Sequence, residues 1–378
     1  MRRGTATTSL AISLAIACTP GVPEGSSGEG SPSAAQTLAR DVVRLLSDYA
    51  GEDRPGECLL VRYRGEALFE DCYGMADLDG GVEADPETNF RLASVTKQLT
   101  ATAVIQLVEA GKLSYETNLT QIFPDFPDYG KKVTIRHLLT HTSGLIDYES
   151  LLPEDQTEQV KDPDVLRLMA KQDSTYFEPG SEFRYSNSGY ALLAMVIAHV
   201  SGQRFADFLA DSIFAPLGMT HTVAHEEGVS TVFKRAYGYD RTESGWEFAD
   251  QSPTSAVLGD GGVYSSLQDL GRWMQVVEQR VELIEPASLA QALEPMRLSS
   301  GDLTEYGFGW YIDEYKENTR YRHSGSTRGF RTGVQRLPAA DLTVVFLSNR
   351  NEIDEALIDS VVEASLVALS SSSAGSNP

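Results

Sequence analysis

A serine and a lysine three residues apart, Ser94 and Lys97 in Ser94-Val95-Thr96-Lys97, open a long apolar stretch. In a helix, positions i and i+3 share a face, so the hydroxyl and the amine can touch. Apolar surroundings disfavour the ammonium and lower its pKa, which lets a lysine serve as base for a neighbouring serine. The helix start adds free backbone N–H groups that favour developing negative charge. A second cluster, Tyr185-Ser186-Asn187, follows Glu178-Pro179-Gly180 and precedes another helical pattern. A tyrosine beside an ammonium can ionise in part and relay protons, and an amide two residues on can orient a carbonyl. A third, His323-Ser324-Gly325-Ser326, ends a strand pattern. Gly325 would let a ligand backbone approach the strand edge, and the Ser326 and Ser94 N–H groups would point at one oxyanion. Each cluster alone also has a plain reading: a capping serine with a surface lysine, a turn capped by Asn187 or Ser188, a strand end with a loop glycine.

These residues are far apart in sequence, so a fold must gather them. Ser94 to Ala110 has no charge between Lys97 and Glu109, and its leucines, valines and isoleucine lie nearly all round, which predicts a buried helix closed by Gly111. Helical patterns follow at 135–140, 164–171, 189–200 and 204–214. Ser266-Leu-Gln-Asp269 is a capping box opening another, and a last helix is expected over about 352–369. Cys58–Tyr63 and Ala67–Tyr73 read as a hairpin turning at Gly65, and Tyr321–His323, Thr332–Leu337 and Leu342–Leu347 as three further strands. A sheet drawn from both chain ends implies an inserted middle. The expected fold is α/β plus α: an antiparallel five-stranded sheet flanked by helices, over 36–369, with a mainly helical domain inserted at about 112–230.

The 378-residue chain carries 31 Lys and Arg against 54 Asp and Glu, a formal charge of −23. So acidic a chain repels phosphate backbones, and nucleic acid is not an expected partner. A hydrophobic share of 41% allows a sizeable core, while no uncharged apolar stretch reaches the roughly 18 residues of a membrane-spanning helix. Arg2 and Arg3 before an apolar run to Ala17 read as a signal peptide over 1–17. Leu14-Ala15-Ile16-Ala17-Cys18 is similar to a bacterial lipobox, which would lipidate Cys18; Ala15-Ile16-Ala17 also suits plain secretion. Residues 18–35 are a Gly/Ser/Pro/Glu tether, and 370–378 a disordered polar tail. Thr19 after the cysteine favours, by likeness to Gram-negative lipoproteins, an outer-membrane anchor facing the periplasm. A hairpin symmetric about Gly65 sets Cys58 opposite Cys72, and an oxidising compartment would let them form a disulfide. His221 and His225 have a zinc-like spacing but follow the turn Pro216-Leu217-Gly218-Met219, so neither a metal nor a cofactor is expected.

Taken together, the three clusters resemble the serine β-lactamase and penicillin-binding hydrolase superfamily, whose motif set is S-x-x-K, a middle tyrosine or serine element and a strand-end triplet. The branch with class C β-lactamases, D-alanyl-D-alanine carboxypeptidases, D-aminopeptidases and esterases has the tyrosine form. Asn89 to Ala93, His141-Thr142-Ser143-Gly144-Leu145 and Gly261 to Ser266 look like the same family. The resemblance implies an acylated nucleophile at Ser94, proton transfer shared by Lys97 and Tyr185, a substrate amide held by Asn187, and His323 positioning the phenol and leaving group. Class C β-lactamases typically have lysine where His323 stands. A mostly neutral histidine attracts a lactam carboxylate less, which favours a D-amino-acid peptide, amide or ester, such as a peptidoglycan stem peptide, as substrate. By the same logic, lysine at 323 would raise acylation by β-lactams. A carboxylesterase or β-lactamase of the same fold, and a non-catalytic penicillin-binding sensor, are the alternatives. Arg328 and Arg331 offer a carboxylate anchor or are solvated loop residues.

Overall fold

The chain leaves its main sheet after two N-terminal strands and returns to it only near residue 311. The computed structural model describes residues 33–47, 50–352 and 356–374. The expected signal peptide, Cys18 and nearly all of the tether lie outside them. The sheet has six strands: β1 (Glu57–Tyr63), β2 (Glu66–Tyr73), β3 (Tyr311–Tyr315), β4 (Asn318–Thr327), β5 (Phe330–Leu337) and β6 (Leu342–Ser348). All pair antiparallel in the order β3-β4-β5-β6-β1-β2. The count corrects the five strands expected. Strand β3 was missed because it is an edge strand whose Tyr-Ile-Asp-Glu-Tyr sequence is half-buried or exposed throughout, so no apolar alternation marks it.

The hairpin β1–β2 turns on Arg64 and Gly65, both with positive φ (52° and 83°), as a two-residue turn requires. Its centre is therefore half a residue before Gly65. A bulge between Val61 and Arg62 restores the register, so Cys58 still faces Cys72. The two form a disulfide with Cα atoms 4.1 Å apart.

Six helices matter for the site and its support: α1 (Ala34–Leu46), α2 (Thr96–Glu109), α3 (Asn187–Ser201), α4 (Leu258–Gly261), α5 (Leu267–Val277) and α6 (Leu357–Ala374). Alternation along the strands splits the core in two. Leu59, Val61, Val344 and Phe346 meet α1 and α6 on one face. Cys58, Leu60, Val345 and Leu347 face the larger core, with Leu99 of α2, Leu192 of α3 and Trp273 of α5. Helix α1 starts two residues inside the expected tether because Ser33 and Gln36 form a capping box. Helix α6 begins at Leu357 and runs on to Ala374, into the expected tail. Its apolar face, with Val361, Val362 and Ala368, is anchored on the sheet and carries the poorly helix-forming serines at its end. Among the described residues no helix is long and apolar enough to cross a membrane.

Candidate active site

Ser94 sits in a single 3₁₀ turn, Ala93–Val95, at the mouth of α2. Ala93 is held at φ 48°, a left-handed conformation that costs an alanine about 1 kcal/mol or more and survives only under external constraint. The constraint is visible on both sides. Leu92 donates its N–H to the Val263 carbonyl at 2.8 Å and accepts from the Thr332 hydroxyl of β5 at 2.7 Å. Gly325 of β4 lies so near that a Cβ there would stand 2.2 Å from the Leu92 carbonyl oxygen. Its missing side chain thus serves protein packing rather than the ligand approach expected from the sequence. Strand β4 and the Ser94 turn are locked together, which brings Ser326 into the cleft that holds Ser94.

Lys97, one turn along, is fully buried. Its Nζ lies 3.0 Å from Ser94 Oγ, 2.8 Å from Asn187 Oδ1 and 2.8 Å from the Asp260 carbonyl oxygen. Burial lowers the ammonium from 10.5 to about 8, against the opposing pull of the Asp260 and Glu149 carboxylates. Asn187 is the first residue of α3 rather than its cap; Ser186 takes that place. This start points the Asn187 amide at Lys97. Tyr185 hydrogen-bonds Ser94, and Lys97 Nζ lies 5.0 Å from its ring centre. Burial pushes the phenol well above its ordinary value near 10. Tyr185 therefore stays protonated in the resting site, which corrects the expected partial ionisation.

His323 is 2% exposed. Its Nδ1–H donates to the Ser324 carbonyl oxygen at 2.8 Å, and Nε2 accepts from the Tyr306 hydroxyl at 2.8 Å. Burial first, and then the Lys97 charge, lower its pKa from 6.5 to about 3, so it is neutral. With both nitrogens engaged it has no free ring nitrogen to hold a leaving group; it packs beside Tyr185, ring centres 6.1 Å apart. A lysine here would bury a second ammonium near Lys97 with neutral oxygens, the Tyr306 hydroxyl and the Ser324 carbonyl, beside the position and no carboxylate among its hydrogen-bond partners, so the expected gain toward β-lactams does not follow from the structure. Arg328 lies 3.8 Å from Asp240, and Arg331 donates to the Thr327 and Phe330 carbonyls. A cleft of about 560 Å3 opens beside β4 among Arg320, Arg322, Ser324 and Gln335; it does not include Ser94.

Three residues given no role from the sequence complete the site. His141 is buried, with φ 56°, and its ring lies 4.2 Å from that of Tyr185. Nδ1 accepts from the Ser186 N–H and the His141 carbonyl from the Arg184 N–H, so His141 clamps the segment presenting Tyr185. Asp260 is buried at the end of α4, accepts the Tyr148 hydroxyl at 3.1 Å, and has its carboxyl pushed up by burial. Glu149 is exposed in the Ser94 cleft, and Asn187 Nδ2 donates to it at 2.9 Å. His141 stood in a family-like stretch, but nothing in sequence links it to residue 185. Glu149 and Asp260 had no motif to mark them.

A sheet covered by helices on both faces, with a Ser-x-x-Lys helix start facing a strand-end triplet, defines a β-lactamase/transpeptidase-like fold. Residues 42–367 match the β-lactamase family model, and the chain belongs to that family. It is 35% identical over 312 residues to penicillin-binding protein 4* of Bacillus subtilis, covering 79% of this chain and 68% of that protein. It is 29% identical to a D-aminopeptidase of Brucella ovis, covering 85% of this chain and 61% of that protein. The chain thus spans about three fifths to two thirds of these relatives. A D-amino acid amidase from Ochrobactrum anthropi SV3 shares the fold, with a TM-score of 0.75 at 24% identity, covering 89% of this chain and 99% of that one. The protein is a β-lactamase-fold hydrolase related to penicillin-binding proteins and D-aminopeptidases.

Proposed function

We propose that the protein hydrolyses amides or esters through an acyl-enzyme on Ser94, with a D-amino-acid peptide or amide as its substrate. One observation carries this reading: a fully buried lysine amine 3.0 Å from the Ser94 hydroxyl, with its pKa lowered by that burial. As Ser94 Oγ bonds to the substrate carbonyl carbon, its proton passes to neutral Lys97, and the carbonyl π pair moves onto oxygen. We assign the Ser94 and Ser326 N–H groups, from two residues lining one cleft, as the donors to that oxyanion. Collapse breaks the C–N or C–O bond, and the proton from Lys97 reaches the leaving group by way of the protonated Tyr185 hydroxyl. Water then repeats the sequence on the ester, releasing the acid and restoring Ser94. The neutral His323 favours a peptidase or amidase over a β-lactamase, because it gives a lactam carboxylate no charge to meet. The N-terminal sequence supports export, with Cys18 as a lipid anchor holding the domain in the periplasm.

A turnover panel tests the reading: D-alanyl-D-alanine peptides, D-amino-acid amides, p-nitrophenyl esters and nitrocefin. Hydrolysis of amides or peptides, lost in Ser94→Ala, is expected; turnover of nitrocefin alone, or of nothing, would overturn it. For export, palmitate labelling of the expressed full chain that disappears in Cys18→Ser is expected, and an unlabelled chain refutes the anchor.

A further inference from the structure

Tyr306 is fully buried, and its hydroxyl is directed at a residue of the Ser94 site. The segment Tyr306-Gly307-Phe308-Gly309-Trp310 delivers the chain to the edge strand β3. Its backbone is pinned at both ends: the Met296 N–H donates to the Tyr306 carbonyl at 3.0 Å, and the Gly307 N–H to the Trp310 carbonyl at 2.9 Å. Gly309, at φ 80°, comes so close to α2 that a Cβ would stand 2.9 Å from the Lys97 carbonyl oxygen. The Tyr306 ring is thereby wedged among those around the proton-transfer groups. Its centre lies 4.6 Å from that of His141, 4.7 Å from Tyr311, 5.8 Å from His323 and 6.3 Å from Tyr185.

The direction of its hydrogen bond follows from chemistry. A carbonyl oxygen can only accept, so the Ser324 carbonyl requires the proton on His323 Nδ1. In a neutral imidazole Nε2 is then an acceptor, and the Tyr306 hydroxyl must be its donor, at 2.8 Å. Tyr185 is a second protonated phenol beside the same imidazole, ring centres 6.1 Å apart, and its hydroxyl is hydrogen-bonded to Ser94. A buried acceptor left unpaired is costly, so an unoccupied Nε2 would draw the Tyr185 hydroxyl away from Ser94. Tyr306 removes that competition.

We infer that Tyr306 is a positioning residue for leaving-group departure: by occupying His323 Nε2, it keeps the Tyr185 hydroxyl on Ser94 and the departing atom. The inference rests on the acyl-enzyme reading above. As the tetrahedral intermediate of an amide collapses, the carbonyl re-forms and the C–N pair goes to nitrogen. The Tyr185 O–H gives that nitrogen its proton, and the Lys97 ammonium returns a proton to the Tyr185 oxygen. A p-nitrophenolate or a fluoride leaves as an anion and needs no such proton.

The test compares Tyr306→Phe with wild type on D-alaninamide and D-alanine p-nitrophenyl ester, using the full chain. Both substrates give the same acyl-enzyme, so their kcat/KM values differ only in steps up to loss of the leaving group. The amide-to-ester ratio is expected to fall about tenfold or more in the variant. Fluorophosphonate, which loses fluoride, should still label Ser94 at close to the wild-type rate. Adding His323→Leu removes the competing acceptor and should recover part of the ratio. An unchanged ratio overturns the inference, as does labelling that slows along with the amide, or a double variant with a still lower ratio. A wild type that labels but hydrolyses no amide overturns it too. So does a Tyr306→Phe chain that fails to fold, since the hydroxyl would then serve the fold alone. If the inference fails in these ways while wild-type Ser94 labels, the acyl-enzyme reading stands. If Ser94 does not label, both fall.

Discussion

Lys97 must be neutral to take the proton of Ser94, so the pH dependence of turnover reports its charge. Burial places that titration near 8, below the ordinary 10.5, and the rate should fall as pH drops through it. The Asp260 carboxylate opposes the burial effect and holds Lys97 higher than it would otherwise be. Asp260→Asn is therefore expected to move the acid limb of kcat/KM to lower pH; a limb that stays put or moves upward counts against the assignment of Lys97 as base. Lys97→Ala should cost nearly as much as Ser94→Ala, because a nucleophile and its base act as a unit. Retention of more than about a tenth of wild-type activity in either variant, a loss of only about 1.4 kcal/mol in barrier, would remove that residue from the chemistry.

At the scale of elements, the Ser94 turn depends on how closely β4 approaches it. Gly325→Ala would drive a methyl into the Leu92 carbonyl and the Thr332 hydroxyl, both 2.2 Å from the new Cβ. Overpacking of this kind costs about 1–3 kcal/mol. Denaturant unfolding should show that loss, with turnover falling further than stability alone explains, because Ala93 can no longer hold its left-handed conformation; an unaffected variant would mean that β4 does not lock the turn. The same region shows what the sequence made legible. Helix α2 was readable because its apolar residues are continuous, and Ser94 and Lys97 were readable because their contact is local. The roles of His141, Asp260 and Glu149 were not, because each acts through a partner far along the chain: Ser186, Tyr148 and Asn187. Gly325 was singled out but misread, since a close backbone approach leaves the same mark whether the neighbour is ligand or protein.

At the scale of the molecule, the sheet holds its catalytic and structural cross-links apart. The Cys58–Cys72 disulfide joins β1 to the edge strand β2, with β5 and β6 between β1 and β4. The bond spans 14 residues, and closing a loop of that size stabilises a fold by about 3 kcal/mol. The double variant Cys58→Ala, Cys72→Ala should lose roughly that much stability in denaturant and keep its kcat below the unfolding transition. A large loss of kcat in the folded variant would tie the hairpin to the site, contrary to the topology. The central claim, that Ser94 is a nucleophile activated by Lys97, is tested most directly by mass spectrometry of the protein after fluorophosphonate treatment. The account predicts a single stoichiometric adduct mapped to Ser94, forming more slowly as pH falls below about 8 and absent in Ser94→Ala; no adduct, or one on another residue, would contradict it.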